Sequence, residues 1–219
     1  MDWQNTPYTA FEGSRCLATG SLKNVALAAK TALDREAGSA TPRAVLIFND
    51  ATSEVLELDW RGSVAEFSAR LDQLAQTSAA NRGQDNAGAA QSAVDSDAAV
   101  VDDAPRGPGR PRLGVVAREV TLLPRHWEWL ATQPGGASVA LRKLVEVARR
   151  ASEVKDRVRH ASEVGYKFMS TMAGQLAGFE EASRALFASD QAGFEALIAD
   201  WPQDIQVHLK KILTDAFWA

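Results

Sequence analysis

The chain has 219 residues, 46% hydrophobic and 24% charged, a globular mixture that excludes a wholly disordered protein. A single cysteine, Cys16, excludes an intrachain disulfide and a cysteine-built zinc site, and three scattered histidines (His126, His160, His208) argue against a histidine-rich metal centre. The net charge of −4 is unevenly spread: residues 106–160 carry 12 Lys/Arg against 5 Asp/Glu, and the rest of the chain 12 against 23, so either a polyanion binds the basic block or the block is the solvated face of a helix.

In chain order, residues 1–76 predict a small α+β domain. Tyr8–Gly13 and Arg15–Thr19 are strand-like runs that meet at a Gly13-Ser14 turn. Ser21 is placed to cap a helix bearing Leu22, Val25, Leu27, Ala28 and Leu33, with Gly38 to end it. Ala44–Phe48, a continuous apolar run, and Val55–Leu58 form a second strand pair around Asn49-Asp50-Ala51-Thr52. Ser63 and Glu66 make a capping box for a helix bearing Phe67, Leu71 and Leu74. The order ββαββα packs most simply as a four-stranded antiparallel sheet with helices on one face.

Residues 77–112 read as a flexible linker. Thr77–Gly109 holds nine alanines and no Leu, Ile or aromatic residue, too little apolar surface to offset the entropy of ordering. Its five aspartates keep it extended and, beside the basic block, could compete with nucleic acid.

Residues 113–150 carry the most information. Arg118–Arg150 divides into a strand-like run ending at Pro124, a helix over Arg125–Thr132, a Gly135-Gly136 turn and a helix beginning at Ser138. Through Leu123-Pro124, Trp127, Leu130, Gly136 and Ser138–Arg142 it resembles the ribbon-helix-helix family of DNA-binding domains. The resemblance implies that two chains pair their strands into a ribbon that enters the major groove. A physical argument runs alongside: one strand and two helices cannot bury Val120, Leu122 or Leu123, Leu130, Leu141, Leu144 and Val145 without a second chain. Val120, Leu122, Trp127, Leu130, Leu141, Leu144 and Val145 are therefore the expected homodimer or partner interface. Amides at the helix start opened by Gly135–Ser138 suit a phosphate, and Arg118, Arg125, Arg142 and Lys143 add charge around it.

The phase of the strand stays open. Counted from Leu123, Thr121 and Glu119 are buried while Leu122, Val120 and Arg118 face DNA; the opposite phase buries Val120 and Leu122 and presents Thr121 and Glu119. Neither set offers a full complement of base-reading side chains. Upstream, Arg106-Gly107-Pro108-Gly109-Arg110-Pro111-Arg112 resembles an AT-hook, with Pro108 where an arginine is usual. That resemblance implies minor-groove contacts by Arg106, Arg110 and Arg112; a Gly/Pro/Arg hinge is the alternative.

Residues 151–219 predict a helical region. One helix starts at Gly178 or Phe179, and a second is capped by Asp190 and carries Phe194, Leu197, Ile198 and Trp201. A third has Pro202 in its first turn and Ile205, Leu209, Ile212 and Leu213 along one side. These stripes read as core.

The whole chain resembles members of an uncharacterised bacterial family, domain of unknown function 2239. The resemblance rests on Phe11-Glu12-Gly13, Leu46-Ile47-Phe48-Asn49-Asp50, VTLLPRHWEWLATQPGGASVALRKLV, and YKFMSTMAGQLAGFEEASRALFASD with Trp201-Pro202-Gln203-Asp204-Ile205. It implies a shared fold and a bacterial origin, and no activity.

An enzyme is not expected. The chain lacks a phosphate-cradling loop ending in Lys-Ser/Thr, a GxSxG elbow and an HExxH pair. Glu180 and Glu181 are helix neighbours that diverge, Cys16 reads as a small strand filler, and His126 as a partner-facing or core residue. No cofactor or metal is implied. With no apolar run near the ~18–20 residues that span a bilayer and no signal-peptide pattern in MDWQNTPYTA, a cytoplasmic protein is expected. The expected function is a dimeric bacterial DNA-binding protein, a transcriptional or nucleoid-associated regulator, that contacts phosphates and the minor groove through residues 106–160. The alternative is a protein–protein or dimerisation module without nucleic acid.

Overall fold

The computed structural model describes residues 6–37, 43–91 and 118–217. Two compact units divide the chain: Met1–Asp85 together with Glu153–Ala219, and Asn86–Ser152. The fold is α+β and mostly helical, with one three-stranded antiparallel sheet and eight helices among the described residues.

Strands β1 (Tyr8–Glu12) and β2 (Arg15–Gly20) form the expected hairpin, turning at Gly13 with φ +57°. Strand β3 (Val45–Asn49) pairs with the other edge of β1, Tyr8 opposite Asn49 and Phe11 opposite Leu46, for a sheet order β2-β1-β3. The expected fourth strand does not form. Val55 makes an isolated bridge to Phe48 and the Leu56 amide donates to the Ile47 carbonyl at 2.8 Å, after which pairing ceases. The alternation of Leu56, Leu58 and Trp60 serves packing instead: all three lie against the cluster around Val25, Ala29 and Phe67, where Trp60 stacks on Phe67 at 5.3 Å between ring centroids.

Helix α1 (Leu22–Glu36) follows Ser21, whose side chain makes no capping bond although its carbonyl accepts from Val25 at 3.1 Å. Gly38 lies outside the described residues. Helix α2 (Val64–Gln91) starts on the predicted capping box: the Ser63 amide donates to Glu66 Oε2 at 2.8 Å and the Glu66 amide to Ser63 Oγ at 3.3 Å. The helix then runs to Gln91, through residues expected to be a flexible linker. Alanine is the strongest helix former, so the residues that cannot build a core can still extend a helix already begun.

Every residue of β1 is buried, and the pleat divides them between two clusters. Tyr8 and Ala10 join Val25, Ala26, Ala29, Phe67 and Leu71 from α1 and α2; Phe11 joins Phe48 and the C-terminal helices. Helices therefore cover both faces of the sheet, not one, and the segments read as separate domains 1–76 and 151–219 share a unit. Phe168, in helix α4 (Gly136–Met172), sits in the second cluster 5.5 Å from Phe11 and 5.0 Å from Phe48 between centroids. Around it pack α5 (Phe179–Phe187), α6 (Gln191–Leu197), α7 (Gln203–Ile212) and α8 (Thr214–Phe217).

The predicted starts of these helices hold. Gly178 precedes α5 at φ +78°, Asp190 Oδ1 accepts from the Gly193 amide at 3.0 Å, and Pro202 precedes α7. Trp201 joins the core and its indole N–H donates to the Ala177 carbonyl at 2.9 Å, so burial leaves no orphaned donor there. Gly165 lets α4 approach Leu213: a β-carbon at residue 165 would stand 2.3 Å from Leu213 Cδ2.

Candidate functional site

Helix α3 (Pro124–Ala131) and the first turns of α4 form a helix pair in the Asn86–Ser152 unit. Pro124 occupies the first turn of α3, where a missing amide costs nothing, and Gly135 and Gly136 take φ of +85° and +75° to reverse the chain. Residues 118–123 form neither strand nor helix, with Leu123 extended just ahead of α3, so the predicted ribbon strand is not a strand in the single chain. A strand is defined by its partner, and residues 118–123 pair with no described segment.

Of the seven predicted interface residues, only Leu130 is buried. Leu122 and Leu141 are half-buried, while Val120, Trp127, Leu144 and Val145 are exposed. Leu122, His126, Trp129, Leu130, Leu141 and Leu144 line one apolar cleft of about 280 Å³. The structure thus brings four of the seven together at one opening, and adds His126 and Trp129.

The predicted DNA-binding residues are more scattered. Arg106, Arg110 and Arg112 lie outside the described residues. Arg118 and Thr121 are exposed ahead of α3, Arg125 in the first turn of α3, and Lys143 on α4. Ser138 and Arg142 do meet, since the Arg142 guanidinium donates to the Ser138 carbonyl at 3.1 Å and to Ser138 Oγ at 3.4 Å. The Gly136 amide is taken by the Gln133 carbonyl at 3.0 Å, which removes one donor from the expected anion site. Arg118, Arg125, Arg142 and Lys143 form no ion pair among the described residues. Farther along α4 part of the basic excess is neutralised locally: Arg149 and Arg150 each reach Glu146 at 2.9 Å and Arg159 reaches Asp156 at 2.9 Å. Hydrogen bonds from Arg149 and Arg150 hold the Glu146 carboxyl below its usual range.

A second polar group, in the unit that contains the sheet, escaped the sequence reading. Asp50 follows β3 and its side chain is 4% exposed; Oδ2 accepts from Lys211 Nζ at 2.6 Å, while Oδ1 finds no partner among the described residues. His208, one turn before Lys211, lies 5.4 Å from the Phe11 ring and 4.4 Å from that of Phe168, with Nε2 buried and without a partner among the described residues. Burial, opposed by the Asp50 carboxylate and helped by Lys211, pushes its imidazole down to about 4, so it is neutral at neutral pH. The hydroxyls of Thr9 and Ser53 are also buried without partners among the described residues. Asp50 and Lys211 open onto a cleft of about 370 Å³. Asn49-Asp50 is ordinary turn chemistry in sequence, and only the approach of a lysine 161 positions away marks it. Cys16 is half-buried in β2; burial and the nearby Asp204 push its thiol up, which suits the filler role.

Sheet, helical layers and helix pair define an α+β protein whose described residues include no group of three or more His, Cys, Asp or Glu able to hold a metal, and no helix long and apolar enough to cross a membrane. The model of one family, an uncharacterized protein conserved in bacteria (DUF2239), matches residues 7–213. The chain belongs to that family. No curated protein and no solved structure matches it.

Proposed function

We propose that the chain is a DNA-binding protein that works as a homodimer, joined through the open face of α3 and the start of α4. The observation that carries this reading is that apolar cleft, in a segment whose Arg118, Arg125, Arg142 and Lys143 are exposed and form no ion pair among the described residues. A second copy is the occupant favoured by the adjoining chain. Residues 118–123 belong to no strand or helix and are apolar at Val120, Leu122 and Leu123, so a two-fold pairing of these segments supplies each with a strand partner and covers both clefts. The paired surface then gathers two sets of cations for phosphates, with Arg106, Arg110 and Arg112 available to the minor groove. Fluorescence anisotropy of a labelled A·T-rich duplex and a mixed-sequence duplex, titrated at several salt concentrations, tests it. Affinity that falls steeply with salt is the expected result; no binding at low salt would end the DNA reading.

A second reading is a partner-docking module without nucleic acid. Trp127 and Trp129, 43% and 50% exposed, favour it, because exposed tryptophans on one short helix are typical anchors of protein interfaces. Nuclease-resistant retention of a defined protein by a chain that ignores DNA distinguishes the two.

A further inference from the structure

The cleft beside Asp50 lies wholly in the unit of Met1–Asp85 and Glu153–Ala219, apart from the residues used above. Its walls come from distant parts of the chain: Asp50 after β3, Arg157 and His160 on α4, Lys211 and Ile212 on α7, and Asp215 on α8. We propose that it binds a small zwitterion of the α-amino acid class.

The argument rests on which charges are already answered. Lys211 is committed to Asp50, and that pair is formally neutral. Arg157 and Asp215 remain, opposite in sign, lining the same opening, and neither forms an ion pair with the other or with any described residue. A ligand that answers both must itself carry both signs. Asp50 lines the same cleft, but its charge is already answered by Lys211 at 2.6 Å, so Asp215 is the carboxylate left open to a ligand. An ammonium group supplies donors for Asp215, while a carboxylate matches the forked donors of Arg157. A simple anion would meet two carboxylates, and a simple cation would meet Arg157 and Lys211. The volume of about 370 Å³ falls at the small end of ligand pockets, which suits a molecule of amino-acid size. Ile212 provides an apolar wall for a side chain.

The test is isothermal titration calorimetry of the full chain with each common α-amino acid, then with analogues of any binder that lack either the amine or the carboxylate. At least one amino acid is expected to bind, and either analogue to bind at least about tenfold more weakly, as for loss of a charge-assisted hydrogen bond. Arg157→Gln and Asp215→Asn, both exposed and outside the core, are each expected to weaken binding by about tenfold or more without moving the thermal midpoint of the unliganded protein. Failure of every amino acid to bind overturns the proposal. So does binding unchanged by Arg157→Gln and Asp215→Asn, or inorganic phosphate binding as tightly as the best amino acid.

Discussion

Along α7, Ile205 and Leu209 are buried to 1% or less exposure, while on the early turns of α4 Val145 and Val147 stand 64% and 67% exposed. Both helices are amphipathic. The difference lies in what each apolar stripe meets. Ile205 and Leu209 close on Phe11, Phe168 and Leu186 in one cluster, whereas α3 and the first turns of α4 bury only Leu130 and Ala140. One region has finished its core within the single chain, and the other leaves apolar side chains exposed, as the proposed dimer requires. Buried groups in the first region should then control folding stability, and exposed apolar groups in the second should control association.

The largest expected effect is at the centre of the finished core. Phe168→Ala removes a fully buried ring from contact with Phe11 and Phe48 and should cost about 3–5 kcal/mol in urea denaturation. A loss below about 1 kcal/mol would mean that the cluster is not the packed core described.

Acid should act next. His208 in the folded protein titrates at about 4 against an ordinary 6.5, so unfolding takes up a proton between those values. Its contribution is constant above about pH 6.5 and is lost as the pH falls toward 4, on the order of 3 kcal/mol in all. His208→Phe, which keeps a ring and removes the unpartnered nitrogen, should flatten that part of the stability–pH curve. An unchanged slope would assign the acid sensitivity to another group.

Gly165→Ala drives a methyl into Leu213 and should cost about 1–3 kcal/mol by overpacking, read as a lowered thermal midpoint. Val145→Ser should be the mildest: within about 0.5 kcal/mol on the stability of the dilute chain, yet with a clear rise in the concentration needed for association. A large stability loss in dilute solution would erase the contrast between the two regions.

The sequence made local structure readable where one side chain decides it. The Ser63–Glu66 box, the Asp190 cap, Pro124 at the start of α3 and the Gly135-Gly136 reversal each depend on neighbours a few residues apart. The layer order was harder to see, because α5–α8 reach the sheet across more than a hundred residues. A signal is present even so: Ala44–Phe48 is a continuous apolar run, the mark of a strand covered on both faces. The extension of α2 is not legible from apolar content, which the segment lacks; it follows from the helix propensity of its alanines. Of the candidate sites, the apolar face of α3 and α4 was legible from spacing. The Asp50–Lys211 pair was not, since its meaning lies in a contact between the end of β3 and the end of α7.

The contrast between a finished core and an unfinished face is tested most directly by sedimentation equilibrium of the full chain beside the double variant Leu144→Glu/Val145→Glu. The account predicts twice 23.6 kDa for the natural sequence and 23.6 kDa for the variant, with both folded by circular dichroism. A natural chain that stays monomeric at every concentration, or a variant that dimerises as well as its parent, would contradict it.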